Sequence, residues 1–204
     1  MFMIKNIIFD CGGVLTNCVP FEYVYSLNIS NDEKNLLFKR IFTSKVWEKS
    51  DLGLFNSNEE MIKAFKDENK DILPLIDIFF QDDWMKFYYP YKDGQQLLKY
   101  FKNKGFNIYI LSNYAKEGFQ YCYENNECFK LVDGIVVSAD VKMIKPNIEI
   151  YKYLLNKYHL NKEECIFIDD RIKNVEASYQ VGIKAIQYLH NNDEIISFVN
   201  KHNR

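Results

Sequence analysis

The chain has 204 residues, which suits a single domain with its own hydrophobic core, with or without an insertion. Its 26 Lys and Arg residues nearly balance its 28 Asp and Glu residues, for a net charge of -2. This balance argues against a nucleic-acid partner, because nucleic-acid-binding surfaces carry clustered basic charge. The sequence also has no run of about 18 apolar residues, the length that a membrane-spanning helix needs, so we expect no membrane partner.

The first apolar run lies in MFMIKNIIFD and ends at a carboxylate, with a pair of glycines just beyond it. The run has no small-residue cleavage site, so we interpret residues 4–9 as a strand rather than as part of a secretory signal. The five cysteines are odd in number and form no CxxC pair, which is typical of free thiols in a reducing compartment. We therefore expect a cytoplasmic protein.

The region after this strand has no convincing strand pattern of its own. Apolar residues recur at helical spacing, for example Leu37 with Ile41, and Ser57 with Glu60 predicts a capping box at the start of a further helix. Prolines interrupt the chain near both ends of the region. The predicted organisation is a core formed by residues 1–16 and 90–204, with a helical insertion formed by residues 17–89.

Later in the chain, short apolar runs alternate with helical patterns. One predicted helix has Asp93 as its N-cap, with Gln96 three residues on, and ends before Gly105. Two more begin at about residue 147 and cover about 173–181. The predicted strands are 106–111, 134–139, 165–168 and 183–188. Continuously apolar strands that alternate with helices indicate a parallel sheet covered on both faces, so we predict an α/β fold with a doubly wound, mostly parallel sheet.

Polar residues follow four of the predicted strands at the point where each strand ends. Ligands of such sheets bind beyond the carboxyl ends of the strands, so these residues are the candidates for a functional site. Each of them alone also fits an ordinary turn, cap or solvated side chain, and only their joint placement points to a site. In chain order, the four strands deliver Asp10 with Cys11, Gly12 and Gly13, then Ser112 with Asn113, then Lys145, and finally Asp169 with Asp170.

This combination fits phosphoryl transfer to an aspartate. Asp10 is the candidate nucleophile, because a carboxylate can form a covalent aspartyl phosphate. The backbone N–H groups of Cys11 and Gly12 could bind the phosphate oxygens, and the Ser112 hydroxyl could donate a further hydrogen bond. Lys145 would neutralise the charge that develops during the transfer, which makes it a second catalytic candidate.

Asp169 and Asp170 together with Asp10 would place three carboxylates in one crevice. Such a cluster is repulsive unless a cation binds to it. Mg²⁺ suits the cluster, because it prefers oxygen ligands and retains sites for water and a substrate phosphate. We therefore predict a magnesium site beside the candidate nucleophile.

Three residues near the predicted site have two possible roles each or compete for one role, and one further side chain is interpreted as structural. Lys142 is an alternative to Lys145 as the phosphate-binding cation. Asn113 either supports its loop or contacts the substrate, and Asn174 either orients the carboxylate pair or simply lies on its helix. The Cys11 side chain, as distinct from its backbone, is interpreted as a small buried residue.

The segments FDCGGVL, LSN, KPNIEIY and FIDD resemble the four motifs of the haloacid dehalogenase superfamily of aspartate-nucleophile phosphatases. The resemblance spans nearly the whole chain, because the helical insertion falls where that family has its cap domain. The stretch WEKSDLGLFNSNEE is similar to a cap segment of the subgroup that includes bacterial α-glucose-1-phosphate phosphatases. The resemblance implies a Rossmann-like core with an α-helical cap and a Mg²⁺-dependent phosphatase of a small phosphorylated metabolite, such as a sugar phosphate.

The same resemblance assigns roles to individual residues. It implies that Asp10 is the nucleophile and that Ser112 and Lys145 bind the phosphate group. It implies that the Gly12 carbonyl oxygen and Asp170 are metal ligands beside Asp10. Asp169 would bind the metal through a water molecule or support the direct ligands.

One position departs from the family pattern. Most of these phosphatases carry a second aspartate, a general acid and base, where this chain has Gly12. The substrate could have a good leaving group, another group from the cap or a water could substitute, or the chain could be a weak catalyst that mainly binds. A 2-haloacid dehalogenase is the rival reaction, although its chemistry needs no metal and thus no pair such as Asp169 and Asp170. The sequence carries no prediction of oligomeric state.

Overall fold

The computed structural model describes residues 3–17, 21–81 and 84–203. Five strands form one sheet in the order β3-β2-β1-β4-β5, and every neighbouring pair is parallel. The strands are β1 (Asn6–Phe9), β2 (Asn107–Ser112), β3 (Gly134–Val137), β4 (Cys165–Asp169) and β5 (Lys184–Gln187). The predicted α/β fold with a doubly wound parallel sheet is confirmed.

The central strands are apolar along their whole length because both faces of the sheet are covered. In β1, Ile7 and Phe9 belong to one hydrophobic cluster, whereas Ile8 between them belongs to the other. Side chains of a strand point alternately to opposite faces, so the two clusters lie on the two sides of the sheet. All four residues of β1 are buried, as the continuous apolar run predicted.

Six helices of the described chain follow or connect these strands outside the region 17–89. They are α6 (Lys92–Asn103), α7 (Lys116–Asn125), α8 (Ser138–Val141), α9 (Ile148–Lys157), α10 (Ile172–Val181) and α11 (Asn192–His202). Buried residues of α6 and α11 join the cluster that contains Phe9, and those of α9 and α10 join the cluster that contains Ile8. Helices therefore cover both faces of the sheet.

The predicted strand boundaries lie within two residues of the observed ones, and two of the differences along the chain have a structural cause. The predicted strand 134–139 ends at Val137, because the Ser138 hydroxyl leaves the sheet to accept the Tyr114 N–H group at 3.0 Å. Helix α6 begins at Lys92 with Tyr91 as its N-cap, so Asp93 lies inside the first turn. There the Asp93 carboxylate accepts the N–H group of its neighbour in the chain and pairs with a histidine side chain.

The described part of residues 17–89 contains helices and turns and no strand. Its helices are α1 (Phe21–Ser26), α2 (Asn31–Phe42), α3 (Lys45–Asp51), α4 (Asn58–Glu68) and α5 (Leu73–Phe79). The capping box predicted at Ser57 is incomplete, since Glu60 turns its carboxylate to the Asn56 N–H group. The complete capping box lies at Ser30 and Glu33, at the start of α2.

The chain enters and leaves this helical region through two adjacent segments. The Asn17 N–H group donates to the Tyr89 carbonyl oxygen at 2.8 Å, and the Tyr91 N–H group donates to the Leu15 carbonyl oxygen at 2.9 Å. These bonds hold the two connections together beside the end of β1, so the helical region starts next to Asp10. Within the described ranges, no helix is long and apolar enough to cross a membrane.

Candidate active site

The predicted site residues meet at one edge of the sheet, where the parallel strands end. After β1 the chain moves toward β2 and β3, and it later returns to the other side of β1 to form β4 and β5. Ligands of open α/β sheets bind at this kind of switch point, beyond the carboxyl ends of the strands. The strand order therefore places Asp10 next to the end of β4 and next to the end of β2.

Asp10 is buried and is held by three donors. Its Oδ1 atom accepts hydrogen bonds from the Ser112 hydroxyl at 2.6 Å and from the Cys11 N–H group at 2.6 Å. Its Oδ2 atom lies 2.8 Å from the Lys145 amine. The carboxylate thus has a fixed orientation, as a nucleophile in a shaped pocket requires.

Lys145 lies between two of the carboxylates. Its buried amine is 2.8 Å from Asp10 Oδ2 and 2.6 Å from Asp169 Oδ2. The Asn113 side chain holds the lysine backbone from both sides, accepting the Lys145 N–H group at 2.8 Å and donating to its carbonyl oxygen at 2.9 Å. The Asn113 side chain therefore supports this loop, and the residue also lines the cavity at Asp10, so its contact with a substrate stays a prediction.

Lys142 lies outside this cluster. It is exposed, its backbone has a φ of 57°, and its amine donates to the Gly53 carbonyl oxygen in the helical region. Between the two candidate lysines, Lys145 is therefore the one that contacts the carboxylates.

Asp169 is buried at the end of β4 and is fully hydrogen-bonded. Besides Lys145, its oxygens accept the Arg171 N–H group at 2.8 Å and the Asn174 amide at 2.9 and 3.0 Å. Asn174 therefore orients Asp169, one of the two alternatives that the sequence left open. The first turn of α10 fixes this carboxylate in place.

Asp170 completes a group of three carboxylates. One carboxylate oxygen each from Asp10, Asp169 and Asp170 lie within 4.8 Å of one another. The Asp170 Oδ1 atom is buried and has no hydrogen-bond partner among the described residues. A buried carboxylate oxygen without a partner is costly, so this atom is available to bind a further group.

The pKa values of the three carboxyl groups shift in different directions. Burial raises the pKa of Asp10 to about 8 despite the opposing charge of Lys145, and burial and the charge of Asp169 raise the pKa of Asp170. For Asp169, burial acts in the same direction, but the Lys145 charge and the hydrogen bonds outweigh it and lower the pKa. Without a bound cation, the surroundings therefore favour the charged form of Asp169 and disfavour the charged forms of Asp10 and Asp170.

The structure gives a reason for the glycine at position 13, the second of the two that follow Asp10. It has a φ of +78°, and a Cβ atom there would lie 2.5 Å from Asp170 Cγ. Gly12 is buried and lines the same cavity as Asp10. The Cys11 side chain is fully buried, its sulfur lies 3.4 Å from the Thr16 hydroxyl, and burial raises the pKa of the thiol.

We expect Gly13→Ala to disrupt the carboxylate cluster. The backbone conformation alone costs an alanine about 1–2 kcal/mol. In addition, the new methyl group overlaps with the Asp170 carboxylate, which must move away from Asp10. We predict a lower midpoint of thermal unfolding and at least tenfold weaker Mg²⁺ binding by calorimetry.

Gly105→Ala provides a matched control for this substitution. Gly105 has a φ of +85°, but a Cβ atom there would meet nothing within 4 Å. This variant therefore carries the backbone cost without the overlap. Equal Mg²⁺ affinity in the two variants would contradict a role of Gly13 in making room for Asp170.

Residues of the helical region also line the cavity at Asp10. Trp47 and Asp51 from α3, together with Tyr88, lie beside Gly12 and Lys145 around a cavity of about 50 Å³. Asp51 is absent from the predicted site residues, although it lies in WEKSDLGLFNSNEE, the segment that resembles a cap. This resemblance indicates that the segment is near a site, but the sequence does not show that α3 packs against the core.

Comparison with known proteins identifies the family of this fold. The model of the haloacid dehalogenase-like hydrolases matches residues 7–188. A sesquiterpene phosphatase of Aspergillus oryzae is 34% identical over 87 residues, 43% of this chain and 44% of that protein. A drimenol cyclase of Aspergillus calidoustus is 24% identical over 196 residues, 95% of this chain and 35% of that protein. The chain spans less than half the length of these two curated relatives.

Among solved structures, a HAD family enzyme of Bacteroides thetaiotaomicron superposes with a TM-score of 0.72 at 22% identity, over 97% of this chain and 99% of that one. The same enzyme has been solved in complex with magnesium and inorganic phosphate. At this level of identity the likeness shows a shared fold.

Proposed function

The chain belongs to the haloacid dehalogenase-like hydrolase family, and we propose that it is a Mg²⁺-dependent phosphatase of a small phosphorylated metabolite. We propose Asp10 as the nucleophile that forms an aspartyl phosphate. The observation that carries the proposal is the carboxylate cluster, in which Lys145 pairs with Asp10 and Asp169 while a buried oxygen of Asp170 has no partner in the described chain.

The donor set at this cluster suits a hard divalent cation. The carboxylates of Asp10 and Asp170 and the Gly12 carbonyl oxygen would hold Mg²⁺, with Asp169 beside them. The cation would satisfy the unpartnered Asp170 oxygen, favour the charged form of Asp10, and attract a phosphate group. No other atom of the described chain accounts for that buried oxygen.

The side chains then perform a two-step transfer. An Asp10 oxygen attacks phosphorus, and the bond from phosphorus to the organic oxygen breaks. Ser112 and the backbone N–H groups after Asp10 orient the nucleophile and the phosphate oxygens, and Lys145 neutralises charge on them. Water then attacks the aspartyl phosphate, which releases inorganic phosphate and restores the Asp10 carboxylate.

We further propose that residues 17–89 act as a cap over the site. Trp47 and Asp51 of this region already line the cavity at Asp10. A second, larger cleft of about 430 Å³ shares Asp51 and Lys145 with that cavity and continues between α2, α3 and the core. The cleft is large enough for the organic part of a small ester, and its closure by the helices would exclude water.

The lining of this cleft supports two substrate classes. Thr43, Ser44 and Glu48 offer hydrogen-bond partners, which suits the hydroxyl groups of a sugar phosphate. Phe38, Phe42, Trp47 and Ile144 form an apolar wall on the same cleft. This wall favours, as a second candidate, a monophosphate with an apolar organic group, and the similar protein of Aspergillus oryzae is named a sesquiterpene phosphatase.

Removal of the metal should abolish the activity. Burial raises the pKa of Asp10 to about 8, and a cation beside the carboxylate would favour its charged, nucleophilic form. We expect phosphate release from at least one ester in a panel of hexose monophosphates and isoprenoid monophosphates with Mg²⁺. With EDTA the rate should fall by at least about 10²-fold and return when Mg²⁺ is added in excess.

The same assay includes 2-chloropropionate to test the dehalogenase alternative. Displacement of halide from carbon needs no metal, so a dehalogenase would release chloride equally well with EDTA. The half-buried Asp170 beside the buried Asp169 supports the phosphatase, because a metal-free reaction has no use for the unpartnered Asp170 oxygen. EDTA-resistant chloride release without phosphate release would overturn the proposal.

A further inference from the structure

The proposed reaction needs a proton donor that the core strands do not supply. A positioned acid that protonates the leaving oxygen contributes about 10²- to 10⁴-fold to the rate. The residue two positions after Asp10 is Gly12, which has no side chain. Asp169 is held by Lys145 and Asn174, so its oxygens are committed within the cluster.

Asp51 is the last residue of α3, and two core side chains donate hydrogen bonds to backbone carbonyl oxygens at this helix end. The Ser138 hydroxyl donates to the Asp51 carbonyl oxygen at 2.5 Å, and the Lys142 amine donates to the Gly53 carbonyl oxygen. Gly53 has a φ of +62°, and a Cβ atom there would lie 2.3 Å from the Ala139 carbonyl oxygen. The turn after Asp51 therefore approaches the core as closely as only a glycine allows.

Asp51 is one of five residues that line two adjoining spaces, the others being Trp47, Asn113, Lys145 and Arg171. It lines the cavity that contains Asp10 and Gly12, and it also lines the larger cleft beside α2 and α3. In the proposed function the first space holds the phosphate and the second holds the organic group. The oxygen that joins these two parts of an ester would then lie where the two spaces meet, and Asp51 is the only carboxylic acid among the five shared lining residues.

The surroundings of Asp51 suit a group that exchanges protons near neutral pH. The charged groups that face it are Glu48 from its own helix and Arg171 and Lys145 from the core loops. Burial raises the pKa of Asp51 to about 7, although Arg171 and Lys145 act in the opposite direction. A carboxyl group with this pKa can donate a proton in one step and accept one in the next.

We propose that Asp51 is the general acid and base of this phosphatase, in place of the carboxylate that Gly12 lacks; this proposal rests on the proposed function. As Asp10 attacks phosphorus and the bond to the leaving oxygen breaks, Asp51 gives its proton to that oxygen, and the alcohol leaves uncharged. The Asp51 carboxylate then takes a proton from the water that attacks the aspartyl phosphate. Phosphate leaves, and both carboxyl groups return to their starting forms.

The test compares two esters that differ in their need for a proton. An alkyl phosphate such as hexyl phosphate leaves as an alcohol, whereas p-nitrophenyl phosphate leaves as a stable anion. We expect Asp51→Asn to lower kcat/KM for hexyl phosphate by about 10²-fold or more, and for p-nitrophenyl phosphate by less than about fivefold. A burst of p-nitrophenol equal to the enzyme concentration should appear in this variant, since water attack has lost its base.

The pH profile gives a second readout that a structural role would not produce. The acid form of Asp51 is required in the free enzyme, so wild-type kcat/KM for hexyl phosphate should fall as the pH rises above about 7. This fall should disappear in Asp51→Asn. The exposed Asp140→Asn on α8 loses a carboxylate near the same helix contact and should leave both rates and the profile unchanged.

Each outcome supports or overturns the assignment. Selective loss on hexyl phosphate, with the burst, supports it. Equal losses on both esters, or no loss on hexyl phosphate, overturn the role of Asp51 while the phosphatase activity itself stands. Wild-type protein that hydrolyses neither these two esters nor any ester of the metabolite panel with Mg²⁺ overturns the proposed function and the Asp51 assignment together.

Discussion

Replacement of Asp10 by Asn is expected to remove the phosphatase activity and leave the fold intact. The amide cannot attack phosphorus to give an aspartyl phosphate, so kcat should fall on the order of 10³-fold or more. The side chain keeps its size and an oxygen that can accept the bonds now made by the Ser112 hydroxyl and the Cys11 N–H group. Phosphate release from the best ester of the panel measures the loss.

The Asp10→Asn variant is also tested for its free energy of unfolding and for loss of the aspartyl phosphate. Burial raises the pKa of Asp10 to about 8, whereas the neighbouring Lys145 amine favours the charged form. If the amide oxygen accepts the Ser112 and Cys11 bonds, the amide nitrogen faces the Lys145 amine, which lies 2.8 Å from the Oδ2 atom that it replaces. We therefore expect a folded, cooperative variant whose free energy of unfolding is lower by about 1–3 kcal/mol. Acid-quenched wild type should show a phosphorylated peptide that contains Asp10, and this peptide should be missing from the variant. Residual activity near the wild-type level would exclude Asp10 as the nucleophile.

Comparison of Asp10→Asn with Asp51→Asn separates attack from proton transfer. The first variant should fail on every phosphate ester, because all of them need the nucleophile. The second should retain kcat/KM for p-nitrophenyl phosphate, because this leaving group needs no acid, although its kcat falls once water attack limits turnover. Asp10 and Asp51 line one cavity, but the activity lost on replacing Asp51 should depend on the leaving group, and that lost on replacing Asp10 should not.

The parts of the site that follow from the order of the strands could be predicted from the sequence. Strands that are buried on both faces are apolar throughout, and their carboxyl ends meet at one edge of a parallel sheet. Asp10, Ser112 and Asp169 each follow or end such a run, so their convergence needed no three-dimensional information. The contacts between Asp10 and Ser112, and between Lys145 and Asp169, agree with that placement.

Features that depend on packing between distant segments could not be predicted. Whether Asn113 holds the Lys145 loop depends on how two loops meet, and either role leaves the same residue pattern. The position of Asp51 depends on the glycine turn that brings α3 against Ala139. The start of α6 also differs, since Asp93 pairs with His190 from the other end of the chain instead of capping its own helix. Local propensity does not encode such contacts.

Replacement of Lys145 by Met is expected to give the largest loss of stability of any substitution proposed for the site. The lysine amine is the charged partner of both Asp10 and Asp169, and its side chain is almost fully buried. Removal of one partner of a buried ion pair leaves an uncompensated charge and typically costs about 3–5 kcal/mol. We expect a loss of this size in chemical denaturation at pH 8 with EDTA, and a fall in kcat of at least about 10²-fold with Mg²⁺. The exposed Lys152→Met, which removes a surface pair with Glu149, should change stability by less than about 0.5 kcal/mol.

The pH dependence of this loss tests its electrostatic cause. In the wild type, Lys145 holds the pKa of Asp169 below its ordinary value, so its contribution is present above the pKa of the unfolded chain and is lost on acidification. Without the lysine, burial raises the pKa of Asp169, and the folded variant then prefers the protonated form, as Asp10 already does. The variant should therefore lose stability as the pH rises, and its deficit relative to the wild type should be smaller at pH 5 than at pH 8. Mg²⁺ should recover part of the deficit at pH 8, because a cation among the carboxylates replaces some of the missing charge. A deficit that is independent of pH and of Mg²⁺ would indicate lost packing around the lysine chain over Phe167 instead of unpaired charge.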